Sequence, residues 1–100
     1  KDPKAISYAE QALALAPNSA PIMDTLGWLL VEKGETAKGV ELLQKAAGLA
    51  PQAHVIRLNL AKGLIRAGQK DAARKELETL AALGDKFSAK DEVAQLLKSL

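Results

Sequence analysis

The sequence predicts an all-α fold, an α-solenoid of antiparallel helix pairs, and three observations carry that prediction. Leu15-Ala16-Pro17 and Leu49-Ala50-Pro51 are one closure repeated 34 residues apart. Between the two prolines, apolar-periodic segments flank Lys33-Gly34-Glu35, and the stretch after Pro51 repeats that plan around Gly68. Small residues recur in register, with Leu60-Ala61 for Leu26-Gly27 and Ala73 for Gly39. A fixed period of this length marks one supersecondary unit stacked on copies of itself.

Residues 1–19 read as the second helix of a repeat whose first helix is missing. Lys1-Asp2-Pro3 suits an inter-helix turn. Ile6, Ala9, Leu13 and Ala16 make the apolar stripe, with Ala5 and Ala12 at small positions. Tyr8 falls off that stripe, as a half-exposed ring covering apolar surface. Because the chain begins inside a repeat, it reads as an excised piece, with any targeting signal upstream of Lys1. Its cut N-terminal edge is expected to be open to self-association.

Residues 20–53 form the first full unit. Ser19 is the expected N-cap of a helix over 20–33, and Pro21 suits its first turn. The partner helix starts at Glu35-Thr36 and runs to Leu49. Residues 54–87 form the second unit, with helices expected over 53–67 and 70–83 and a close at Gly84-Asp85. Gly34 and Gly68 can take the left-handed conformation that ends a helix in a short turn. Gly27 and Gly39, then Ala61 and Ala73, are the small partners that let paired helices approach, and Leu26, Leu30, Leu43, Leu60, Leu64 and Leu77 fill the remaining volume. Residues 88–100 read as a capping helix, with Ser88 and Asp91 approximating a capping box. Its apolar face is Val93, Leu96, Leu97 and Leu100, which would cover one end of the stack.

Composition excludes several classes. One hundred residues bound a single domain. The absence of Cys removes disulfide frameworks, zinc-finger spacings and thiol chemistry. A net charge of +2, with 14 basic and 12 acidic residues mixed along the chain, leaves no block that would track phosphates, so nucleic acid is not an expected partner. No apolar run is long enough to span a bilayer, so this segment is not expected to insert in a membrane. No signal peptide is visible.

An enzyme is not expected. His54 is the only His and falls at a helix start, with no paired nucleophile. Glu76 and Glu78 are two apart and do not face each other on a helix. One His without Cys or clustered carboxylates makes a poor metal site. No Gly-rich phosphate loop is present, and no cofactor is expected.

Leu26-Gly27, Gly34, Gly39, Leu43, Ala46 and Pro51, with Leu60, Ala61, Leu64, Gly68, Ala73, Leu77 and Leu80 in the second copy, resemble the tetratricopeptide repeat (TPR) family over residues 1–87. The departures are Met23 and Arg57 where that family often has Trp, Gly39 for its usual Ala, and Asp85 for its closing Pro. The last departure suggests that the array stops there.

The resemblance implies a right-handed solenoid whose first helices line a concave groove for a peptide or partner segment. That face maps to Asp24, Trp28, Val31 and Glu32, then to Leu58, Lys62, Ile65 and Arg66, with Asn59 at the edge. Trp28 and Leu58 could take an apolar side chain, Lys62 and Arg66 a carboxylate, and Asn59 a peptide backbone. Trp28 reads equally well as packing on the helix of a missing upstream repeat. The clamp with which some TPR domains hold a C-terminal carboxylate would need Lys and Asn where Asp24, Leu58 and Trp28 stand, so that activity is not implied.

Asp24-Thr25-Leu26-Gly27-Trp28, Ala72-Ala73-Arg74-Lys75-Glu76-Leu77-Glu78 and the closing Leu96-Leu97-Lys98-Ser99-Leu100 further resemble the C-terminal end of bacterial PEP-CTERM system TPR-repeat lipoproteins. That resemblance implies a periplasmic array tethered to the outer membrane; without it the expectation is cytoplasmic. The expected function is a non-enzymatic protein-interaction scaffold. The alternative is a structural spacer that ends a longer array and has no ligand of its own.

Overall fold

A computed structural model of the chain describes residues 4–100. Among these residues it contains α1 (Ala5–Leu15), α2 (Ala20–Lys33), α3 (Thr36–Leu49), α4 (His54–Arg66), α5 (Lys70–Ala81) and α6 (Lys90–Ser99), with a 3₁₀ turn at Gly84–Lys86 and no strand. The turn expected at Lys1-Asp2-Pro3 lies outside the described residues. Each helix packs on the next, and α2 also touches α4, two elements along. Stacked antiparallel pairs with side-by-side first helices are therefore what the chain forms.

Local chemistry sets the limits of α2. Its first turn is capped by Ser19, whose Oγ accepts the Ile22 N–H at 3.4 Å. It ends where Gly34 takes φ +103°. The Glu35 N–H then reaches back to the Leu30 carbonyl at 2.9 Å, and that of Gly34 to Val31 at 3.1 Å. The second copy repeats this closure, with Gly68 at φ +77° and the Gln69 N–H on the Leu64 carbonyl. Beyond the α2 turn, the Glu35 carboxylate meets Lys33 at 3.1 Å and Lys38 at 3.4 Å. These lysines, Lys33 first, hold its pKa below the ordinary glutamate value.

The C-terminal part departs from expectation. Helix α5 stops at Ala81, two residues early, and the chain passes through the 3₁₀ turn before α6 begins at Lys90. The capping box at Ser88 and Asp91 does not form, because the residue before α6 is Ala89 and no side chain caps it. A Lys90–Asp85 ion pair instead ties the helix start to the preceding turn.

Packing runs as a column through the stack. Ala9, Leu26 and Leu30 join α1 to α2. Ala20, Met23, Ala46 and Ile56 join the first unit to α4. Val31, Val40, Leu43, Leu60, Leu64 and Ala73 form the centre. Leu58, Ala61, Leu77, Leu80, Phe87 and Val93 seat α6. Met23, standing where the family often has Trp, is a core residue. Arg57, the corresponding residue of α4, donates to Glu76 of α5 at 2.6 Å and to the Pro51 carbonyl at 3.4 Å. It pins helix, partner and turn together. Tyr8 is 58% exposed, consistent with its place off the α1 stripe.

The tightest approach lies between α2 and α3. A Cβ on Gly39 would stand 2.5 Å from the Gly27 carbonyl oxygen and 2.6 Å from Val31 Cγ2. Gly39→Ala is therefore expected to cost about 2–4 kcal/mol, since the obstructing atoms include backbone. Gly48, near the end of the same helix, meets nothing within 4 Å of an added Cβ. Gly48→Ala is expected to gain about 0.5 kcal/mol from helix propensity. Urea unfolding of the two variants checks both signs.

Candidate functional site

On α2, Asp24 and Trp28 are one turn apart; on α4, so are Lys62 and Arg66. The α2·α4 contact brings the two pairs onto one face. At one end the Asn59 amide donates to both Asp24 carboxylate oxygens, at 2.9 and 3.2 Å. At the other, the Arg66 guanidinium lies 5.6 Å from the centre of the Trp28 ring and the Lys62 ammonium 6.0 Å. Both distances fall within the range where an indole face attracts a cation.

Helix α6 completes this face. Glu92 Oε2 pairs with Lys62 Nζ at 2.5 Å. Leu96, one turn further along α6, joins Trp28, Lys62, Ile65 and Arg66 around a shallow pocket of about 240 Å³. The result is an apolar floor of indole and aliphatic carbon beneath two cations, one of them already neutralised. A wider depression of about 440 Å³ between α3 and the turn after α4 is lined by Thr36, Ala37, Val40, Glu41, Gln44, Ala67 and Gln69. It has neither a cation nor an aromatic ring to orient a ligand.

Six of the nine expected groove residues meet here: Asp24, Trp28, Asn59, Lys62, Ile65 and Arg66. Glu32 pairs with neither cation, and two more are buried. Val31 is 2% exposed, because its Cγ2 occupies the space left by the missing side chain of Gly39 and it packs in the central cluster with Val40, Leu43, Leu60 and Leu64. Leu58 is 4% exposed and is buried in the cluster that Leu77, Leu80, Phe87 and Val93 complete as α6 packs on α5. Asn59 has its amide turned to Asp24 rather than to the open surface. Glu92 and Leu96 are the site residues that sequence reasoning missed. Their i, i+4 spacing on α6 was the available signal, but nothing local says that this helix lies beside α4.

No group of three or more His, Cys, Asp or Glu side chains that could hold a metal is found among the described residues. His54 stacks edge-on against Phe87, with ring centres 5.9 Å apart. No helix among the described residues is long and apolar enough to cross a membrane.

A face of this kind on stacked helix pairs defines a helical-repeat protein. Residues 30–100 match the tetratricopeptide repeat family, and the chain belongs to it. The match begins in the last turn of α2 and runs through α3, α4 and α5 to the end of α6. Repeats of this family generally mediate contacts between proteins. No curated protein matches the chain.

Burial pushes the Asp24 carboxyl above the ordinary aspartate value of 3.8, and the hydrogen bond from Asn59 pulls it partly back. A raised folded-state pKa means that the folded chain holds this proton more tightly than the unfolded chain. The group's contribution to stability is therefore present at low pH and lost as pH rises from 3.8 through the raised value. Asp24→Asn keeps an acceptor for the Asn59 N–H and removes the charge. At pH 7 the variant is expected to be at least as stable as the parent, with the difference closing toward pH 3. Urea unfolding at both pH values is the check, and a variant less stable at pH 7 would contradict this reading.

Proposed function

We propose that the face shared by α2, α4 and α6 is the concave groove of a non-enzymatic interaction scaffold, and that it binds an extended segment of a partner protein with Trp28 as the apolar anchor. The observation that carries this reading is the half-buried Trp28 ring, open to a pocket of about 240 Å³ rimmed by Lys62 and Arg66. Aromatic and Arg side chains gathered in one pocket are the usual anchors of protein interfaces. Lys62, Ile65 and Arg66 would contact the bound segment, while the Asp24–Asn59 pair fixes α2 against α4.

The resemblance of Asp24-Thr25-Leu26-Gly27-Trp28 and of the closing Leu96–Leu100 run to PEP-CTERM system lipoproteins supports a finer placement. In it the array stands outside the bacterial cytoplasm, tethered by lipid at a distant N-terminus, and meets secreted proteins that are being sorted. Peptides from such proteins are accordingly the first ligands to try.

An amide chemical-shift titration with these peptides tests the reading. Shifts should cluster on residues 24–32, 58–66 and 92–96, and Trp28→Ala should weaken binding roughly tenfold or more without loss of helix content. Saturable shifts elsewhere would overturn the groove. The absence of shifts with any peptide would make the chain a spacer within a longer array.

A further inference from the structure

We propose that the Trp28 pocket selects a partner segment carrying a carboxylate beside an aliphatic side chain, and that Glu92 is the internal group this carboxylate displaces from Lys62. The proposal rests on the groove reading above and adds the chemistry of the ligand and a built-in competitor.

The charge inventory of the pocket is unbalanced. Lys62 and Arg66 both lie against the Trp28 ring, but only Lys62 has a carboxylate, that of Glu92. Arg66 makes no ion pair among the described residues, and Glu32, one turn beyond Trp28, reaches neither cation. Asp24 is held by Asn59. One carboxylate thus faces two cations over a floor of Trp28, Ile65 and Leu96. An incoming carboxylate can be shared by Lys62 and Arg66 while its aliphatic neighbour lies on the floor, a geometry that Glu92, paired only with Lys62, does not reach.

Displacement needs no unfolding. The Glu92 side chain is 46% exposed, so it can turn into water. Val93, the next residue, is 1% exposed among Leu58, Leu77, Leu80 and Phe87 and keeps α6 in place. The competition is therefore between two carboxylates for one ammonium, with Arg66 favouring the incoming one. Such a contact raises selectivity, because an uncharged segment gains nothing from removing Glu92 and leaves Arg66 unpaired.

Trp28 is the only Trp, so its fluorescence reports on this pocket alone. The probes are a blocked hexapeptide alternating Leu and Glu and its counterpart alternating Leu and Gln. They are titrated into the parent, Glu92→Gln and Arg66→Gln, each checked for unchanged helix content. The Glu peptide is expected to bind Glu92→Gln roughly two- to fivefold more tightly than the parent and Arg66→Gln more weakly by a similar factor. The Gln peptide should be indifferent to both changes. Glu-peptide affinity unchanged or lowered by Glu92→Gln would overturn the competitor role. Equal binding of both peptides to all three proteins would remove carboxylate selection and leave the groove standing. If neither peptide perturbed Trp28 in any of the three, the groove reading would fall as well.

Discussion

The backbone contact between Gly27 and Gly39 is the constraint from which the rest of the arrangement follows. With no side chain at either position, α2 and α3 approach until a Cβ on one glycine would collide with the carbonyl oxygen of the other. Val31, one turn after Gly27, is then drawn inward, and its Cγ2 fills the gap beside Gly39. On the α4 side, a Cβ on Gly63 would meet Leu43 Cδ1 at 3.1 Å and Val40 Cγ2 at 3.3 Å, so these two α3 side chains lie closest to that glycine. Val31, Val40 and Leu43 then pack with Leu60 and Leu64, which seats α4 on the first unit.

The open face is what remains after these contacts are made. Leu60 and Leu64 point to the centre of the stack, and Leu58 and Ala61 toward α6. Asn59, Lys62 and Arg66 are left beside Asp24 and Trp28. Closing the column with α6 brings Glu92 and Leu96 to the same edge, where the ion pair to Lys62 forms. The polar chemistry of the site is thus a product of apolar packing on the opposite sides of the same helices. No polar or charged residue is buried among the described residues, so the stack places its charges where a partner can reach them.

Much of the fold was legible in the sequence because its signals are local. The period, the Ser19 cap and the Gly34 and Gly68 turns each act within a few residues of the feature they set, and α2 and α3 fall where those residues place them. The start of α6 was misread because its first turn is held by a backbone turn and an ion pair to Asp85 instead of by Ser88. The site was legible only in part. Spacing at i, i+4, i+7 says that Val31 shares a side of α2 with Asp24 and Trp28, but not that a third helix closes over the last of the three. Leu58 was misplaced for the same reason, because its cover comes from Phe87 and Val93, 29 or more residues away. Periodicity reports angle around a helix, and burial depends on what lies beyond it.

The only indole of the chain lies open on this face beneath two cations. Comparing the quenching of Trp28 fluorescence by iodide and by caesium tests it without any ligand. At low ionic strength iodide is expected to quench more efficiently than caesium, because Lys62 and Arg66 attract the anion and repel the cation, and added salt should narrow the difference. An indole reached by neither ion, or by both equally at low salt, would contradict it.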